Sequence, residues 1–342
     1  MIRWELRKII KSKSLIVISL IFALLILSTS FMKPTLETEN SYIDDKGYYT
    51  QDNRDNSVIA NEKLDNKVNA LKAMSNKENI NSEDDFTKKI GIMSKEKLKA
   101  DNGDKYEDII FYQVFNYRIN NIISSFLITA IIIIIFSNIY TDEKLSNVDS
   151  VILSSQNKNK VLYSKLVLSI MVPILVYLLY IVIIGFITAI QYGSPINGNL
   201  QAYRISDIPF MLKNSININE YIIINIVTMM IIFTTISVFS SLASFVADNS
   251  VGAVVGSAVF VILGKVLGLL KFLPKEILQV LSTSNYIDIF QDPQKFIGMY
   301  QGSINIFGKS IDAMMLNYGC LTGVLIIGIL ATIYVFKRIL DK

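Results

Sequence analysis

Six stretches of this chain run for about 20 residues each with almost no charge, which is the length an α-helix needs to cross a hydrocarbon core. They are 15–32, 118–140, 166–191, 221–247, 251–270 and 313–336. A chain in lipid must pair its own backbone groups, so only helices and closed barrels span. None of the stretches shows the alternating ten-residue pattern of a barrel strand. Of the 342 residues, 51% are hydrophobic and 18% charged, against about a quarter charged in soluble domains. The expected fold is all-α and polytopic, with six transmembrane helices.

Lys and Arg in the short loops set the orientation of such a bundle. Segment 1–14 holds Arg3, Arg7, Lys8, Lys11 and Lys13; loop 141–165 holds Lys144, Lys158, Lys160 and Lys165; tail 337–342 holds Lys337, Arg338 and Lys342. The opposite loops, 192–220 and 271–312, carry only Arg204, Lys213, Lys271, Lys275, Lys295 and Lys309. Both termini and the tight turn 248–250 are therefore expected in the cytoplasm. The abundance of Ile, Asn and Lys fits an AT-rich bacterial genome and hence a bacterial plasma membrane. Within 1–14, Ile2, Leu6, Ile9 and Ile10 share one helical face and Trp4 suits the headgroup zone. An amphipathic elbow helix on the membrane surface is expected there. No small-x-small cleavage pattern follows "LLILSTSFMK", so the segment is expected to be retained.

Residues 33–117 carry 17 of the 29 acidic and 13 of the 33 basic residues. A loop of this length escapes the charge rule. Leu64, Val68 and Leu71 repeat at helical spacing, and Phe86 with Ile90 begins a second stripe, so two amphipathic helices are expected. After the break at Gly103, "KYEDIIFYQVFNYRIN" is expected to run unbroken into the second span, with Phe111, Tyr112, Phe115 and Tyr117 as an aromatic belt. This small helical extracellular domain is either a cap that meets an exported substrate or a solvated hairpin joining two spans.

Much chemistry is excluded. The chain has no histidine, which removes His-based acid–base catalysis and His metal ligands. Its one cysteine, Cys320, lies in an apolar run and permits no intrachain disulfide. "GSINIFGKS", Gly302 to Ser310, has five residues between its glycines where a phosphate loop needs four, and no strand precedes it. No carboxylates cluster in the spans as an ion-coupled pump would require. No metal, cofactor, nucleic-acid site or enzymatic activity is expected of this chain, so energy for transport has to come from a partner. Lys265 is expected to snorkel to the headgroups. Gly252 and Gly256, with Gly264 and Gly268 after them, and the serines of span four permit close helix approach. Gly252, Gly256, Ser237 and Ser241 are the candidates for helix packing or a seam with a second copy.

The segment "TDEKLSNVDSVILSSQNKNKVLYSK", 141–165, joins two spans. Asp142 and Glu143 suit a helix N-terminus, and Leu145, Val148 and Ile152 recur at i, i+3 and i+7. A short amphipathic helix of this kind docks into a groove on a soluble partner. Together with "WELRKIIKSKS" before span one, "DEKLSNVDSVILSSQNKNKVLYSKL" resembles the permease subunits of type-2 ABC exporters. In that family an elbow helix carries a Glu followed by basic residues. The loop after span two runs acidic, spacer, small residue, apolar pair, "LS", basic stretch, and a Lys opening span three. On that pattern the elbow residue is Glu5, the acidic residue Glu143, the apolar pair Ile152 and Leu153, and the closing lysine Lys165. Asn147 stands where a Gly is common, and Asn157 to Lys160 replace an Arg-centred turn. The resemblance implies a pair of permeases, identical or related. Two cytoplasmic ATPases that bind ATP and Mg would grip Glu5, Glu143, Leu145, Val148, Ile152, Leu153 and Lys165. It implies export of an amphipathic peptide or other hydrophobic or antimicrobial compound. The alternative is a non-transporting membrane sensor or immunity protein.

Overall fold

The structure, a computed structural model, describes residues 1–43, 49–76, 85–101, 103–270, 274–306 and 309–340. Lys271 and Lys342, counted above for orientation, lie outside them, as do two residues of the "GSINIFGKS" stretch. Helix α1 (Ile2–Lys11) meets α2 (Ser14–Ser30) at a 76° bend. After a short hairpin, β1 (Ser41–Ile43) and β2 (Tyr49–Gln51), come α3 (Asn56–Ser75), α4 (Asp85–Ala100) and α5 (Ile110–Ile119). Next are α6 (Ile122–Ser137), α7 (Thr141–Leu145), α8 (Val148–Ser154), α9 (Lys158–Tyr192), α10 (Ile218–Val246) and α11 (Ser250–Gly268). The chain ends with α12 (Lys275–Ser284), α13 (Tyr286–Gln291), α14 (Pro293–Phe296), the hairpin β3 (Ser303–Ile306) and β4 (Lys309–Asp312), and α15 (Ala313–Leu340). Five helical stretches are long and apolar enough to cross a membrane, and six if the bent α1–α2 pair counts as one.

α10 is the centre of the bundle, packed against α6, α9, α11 and α15. The polarity is inside-out. Buried on α10 are Ser237, Ser240, Ser241, Ser244, Thr234 and Thr235 beside Ile232, Phe233 and Ile236. The outward faces carry apolar side chains, as on α9 with Val182, Phe186 and Ile190 at 66–69% exposure. In water such a surface would drive association; in lipid it is the solvated face. Asparagines start three of the long helices. Asn121 Oδ1 accepts from Ile123 N–H, Asn249 Oδ1 from Gly252 N–H, and Asn217 makes a reciprocal capping box with Glu220.

Several expectations are corrected. α5 does not run unbroken into α6, because the Asn120–Asn121 pair ends one helix and caps the next. Tyr112 and Phe115 are buried, so they belong to the core and not to an aromatic belt. The helix of span three begins at Lys158, eight residues before the expected 166, since nothing in "KNKVLYSK" stops it. The intervening loop is therefore 141–157, not 141–165. The expected single helix in it is two, α7 and α8, parted by Asn147 at φ 55°. Two antiparallel strand pairs add strand to the all-α fold, and the described part of the "GSINIFGKS" stretch contributes to β3 and β4. Lys265 does not reach for headgroups alone but pairs with Asp288 of α13 at 2.6 Å.

The α3–α4 pair packs onto the bundle and not on itself alone. Leu64, Val68 and Leu71 join the main core, while Ile90 and Met93 cluster with Tyr300. Gly103, at φ 66°, is forced: a Cβ there would lie 2.5 Å from Val68 Cγ2. Arg204 clamps Asp101 through Nε and Nη2 at 2.7 and 3.0 Å. Burial alone would raise the Asp101 carboxyl, but Arg204 and the Gly103 N–H outweigh it and hold the carboxyl below its usual range. Lys97 of α4 is buried and donates to the Leu212 carbonyl. Burial outweighs the attraction of Glu96 and brings its amine down to about 8.

Candidate functional site

At the α7 end of the bundle, three buried charged side chains from three elements meet, with the exposed Lys8 closing over them. Lys165 Nζ of α9 donates to Glu5 Oε2 of α1 at 2.7 Å, to Glu143 Oε1 of α7 at 2.8 Å and to the Ile139 carbonyl at 2.8 Å. Lys8 Nζ donates to Glu5 Oε1 at 2.8 Å and to Glu143 Oε1 at 2.7 Å. Exposure is 5% at Glu5, 7% at Glu143 and 0% at Lys165. The three buried ions are tolerated only because each is paired and hydrogen-bonded, and the exposed Lys8 supplies the second base that balances the two acids.

α1 shows why the sequence folds this way. Its only buried residue is Glu5, whereas Ile2, Leu6 and Ile10 are exposed. α1 therefore turns its acid toward the protein, beside the half-buried Ile9, and leaves Arg3, Arg7 and three apolar side chains outward. Burial would raise the Glu5 carboxyl, but Lys165 and Lys8 outweigh it and bring it below its ordinary value. Burial would likewise lower Lys8, but Glu143 and Glu5 raise its amine.

The other flank of α7 is locked to the α10–α11 turn. The Tyr140 and Thr141 N–H groups donate to Ser244 Oγ at 2.9 and 3.1 Å. Lys144 Nζ donates to the Phe245 and Ala247 carbonyls at 2.9 and 2.8 Å, capping the end of α10. From this fixed base α8 projects with no residue buried. Its turn from α7 needs a left-handed residue, which Asn tolerates and Gly favours. That is the physical reason a Gly would also serve at 147.

The residues expected at this site divide. Glu5, Glu143 and Lys165 are brought together. Leu145 and Val148 are exposed, and Ile152 and Leu153 are half-buried on α8. Two functional candidates were not anticipated. Lys8 was legible as an i+3 partner of Glu5. Val151 is 66% exposed, beside Leu145 at 60%; it was missed because the break at Asn147 shifts the helical phase. Gly252, Gly256, Ser237 and Ser241 lie in different surroundings within the single chain. Ser237 and Ser241 are fully buried within α10, whereas both glycines are exposed on α11. A Cβ at Gly256 would meet only the Ala243 Cβ at 3.6 Å, an ordinary contact.

At the far end of the bundle lies an open cavity of about 760 Å³, lined by Phe86, Met211, Phe296, Met299 and Asp288 among others. Its size and apolar walls suit an organic ligand. Among the described residues no group of three or more Cys, Asp or Glu side chains is arranged to hold a metal ion. No protein-family model, curated protein or solved structure matches the chain.

Proposed function

We propose that this chain is the membrane-spanning subunit of an ABC exporter in a bacterial plasma membrane, driven by separate cytoplasmic ATPase subunits. The observation that carries the proposal is α8: a short helix with no buried residue and apolar side chains outward, on a base immobilised by a buried ion cluster. A rigidly held, unburied amphipathic helix is what a soluble partner can push against. ATP binding by the partner would shift the bundle between two states only through contacts that differ between them. α7 touches α1, α9 and the α10–α11 turn, so it can pass such a shift to most of the bundle.

In this arrangement both termini and the α7–α8 loop face the cytoplasm, α1 is the elbow helix, and a second copy or related permease completes the transporter. The substrate class favoured is an amphipathic compound such as a peptide, because the far cavity combines aromatic and thioether walls with a carboxylate.

The test is co-purification in mild detergent from the native membrane. An ATP-binding protein in near-equal amount is expected, and it is lost from the Leu145→Asp/Val148→Asp/Val151→Asp variant while the elution volume of the chain is unchanged. A chain that arrives alone, even with nucleotide present, overturns the proposal and favours a sensor or immunity protein.

A further inference from the structure

The outward surface of α1 is divided in two. Ile2, Leu6 and Ile10 form one exposed arc, and Arg3, Arg7 and Lys11, each one residue later, form a second. One residue is about 100° of helical turn, so the basic arc stands that far round from the apolar one. Glu5, in the ion cluster, stands about 100° to the other side of the apolar arc. Trp4 borders the basic arc at 65% exposure, with the Arg7 guanidinium 5.9 Å from its ring centre. The bundle therefore holds one flank of the helix and leaves the apolar and basic arcs uncovered.

The bend between α1 and α2 gives these arcs a direction. The two helices meet at 76°, so with α2 crossing the bilayer α1 runs close to its plane. Exposed apolar side chains on a helix in that plane belong at the acyl boundary, with cationic residues on the adjoining face at the headgroups. Water on all outward sides would leave the apolar arc without a counterpart.

Charge then selects among headgroups. Residues 1–14 hold five bases and one acid, Glu5. Glu5 and Lys8 belong to the ion cluster. Arg3, Arg7, Lys11 and Lys13 are exposed and form no ion pair among the described residues. A zwitterionic headgroup brings an ammonium along with its phosphate, and the basic arc offers that ammonium no carboxylate. A headgroup whose only charge is its phosphate is matched.

We propose that Arg3, Arg7 and Lys11 bind the phosphates of anionic phospholipids, those whose headgroup carries no ammonium. The lipid then holds α1 from one flank while Glu5 and Lys8 hold it from the other, so the charge of the leaflet bears on the seat of α7. The proposal rests on α2 crossing the membrane and not on the ATPase partner.

The experiment reconstitutes the full chain in vesicles of equal phosphatidylglycerol and phosphatidylcholine. Lipid retained after gentle detergent extraction is identified by native mass spectrometry. The wild-type chain is expected to retain phosphatidylglycerol preferentially. Arg3→Gln/Arg7→Gln/Lys11→Gln should lower that preference about fivefold per charge removed at low salt. The charge-keeping Arg3→Lys/Arg7→Lys/Lys11→Arg variant should retain it. Lys160→Gln/Lys337→Gln/Arg338→Gln removes as much charge from exposed positions off α1, at the end where α9 begins and α15 finishes, and should retain it too. Equal retention of the two lipids by the wild-type chain overturns the proposal and leaves the arc to water or an acidic protein surface. An equal loss from both glutamine variants, or a loss from the charge-keeping variant, overturns it as well. Because no ATPase is present, this result is independent of the co-purification above.

Discussion

Glu5 and Lys165 show how much a single buried charge depends on its partners. Replacing Lys165 by Ala leaves two carboxylates facing each other with only Lys8 between them, and removing one member of a buried pair typically costs about 3–5 kcal/mol. Lys165→Ala is expected to lose that much in denaturant unfolding of the detergent-solubilised chain, while Lys11→Ala, on the exposed side of α1, loses almost nothing. The pH dependence has two signs. The lowered Glu5 carboxyl contributes stability above its ordinary value of 4.5, lost as pH falls through the depressed folded value. The raised Lys8 amine contributes below 10.5, lost only as pH rises through its elevated folded value. Lys97 acts oppositely. Its folded value near 8 lies below the ordinary 10.5, so the unfolded chain binds more protons between them and stability rises with pH across that window. Lys97→Met should abolish that alkaline rise in a melting series from pH 7 to 10.5.

At the scale of elements, boundaries were set by residues that composition alone had dismissed. The many asparagines were read as coding bias, yet Asn121, Asn217 and Asn249 each cap a long helix and Asn147 turns α7 into α8. Asn217→Ala is expected to cost about 1 kcal/mol, the usual value of an N-cap, read as a lower midpoint in denaturant. Asn147→Gly should leave the α7–α8 turn intact, whereas Asn147→Val should unfold it and free α8, seen as faster amide exchange at 147–154. The long helices were legible because about 20 apolar residues admit one solution in lipid. α3 and α4 were legible from helical spacing. The ion cluster was legible in part: the family pattern singled out Glu5, Glu143 and Lys165, but nothing in one sequence says that residues 160 positions apart touch. The hairpins were not legible, since three- and four-residue strands leave no periodicity to read.

For the molecule as a whole, the apolar exterior and hydroxyl-rich interior predict a definite pattern of accessibility. In a Cys320→Ala background, a membrane-impermeant thiol reagent should label Asn53→Cys from one side and Ser155→Cys from the other. It should leave Phe186→Cys unlabelled although that position is exposed in the chain. Labelling of both polar positions from the same side would contradict the two-sided arrangement of the α3–α4 pair and the α7–α8 loop.

α9 runs 35 residues without interruption, with Pro173 inside it. That is about 52 Å at 1.5 Å per residue. Near its start it holds Lys165 in the ion cluster. Near its other end, Thr188 and Gln191 accept from Arg118, which also donates to the carbonyls of Ser30 and Met32. A helix is stiff along its axis, so α9 acts as a push-rod with a charged clevis at each end. Any axial thrust that displaces Lys165 must be delivered some 35 Å away at the Arg118 joint, less whatever flexing Pro173 absorbs.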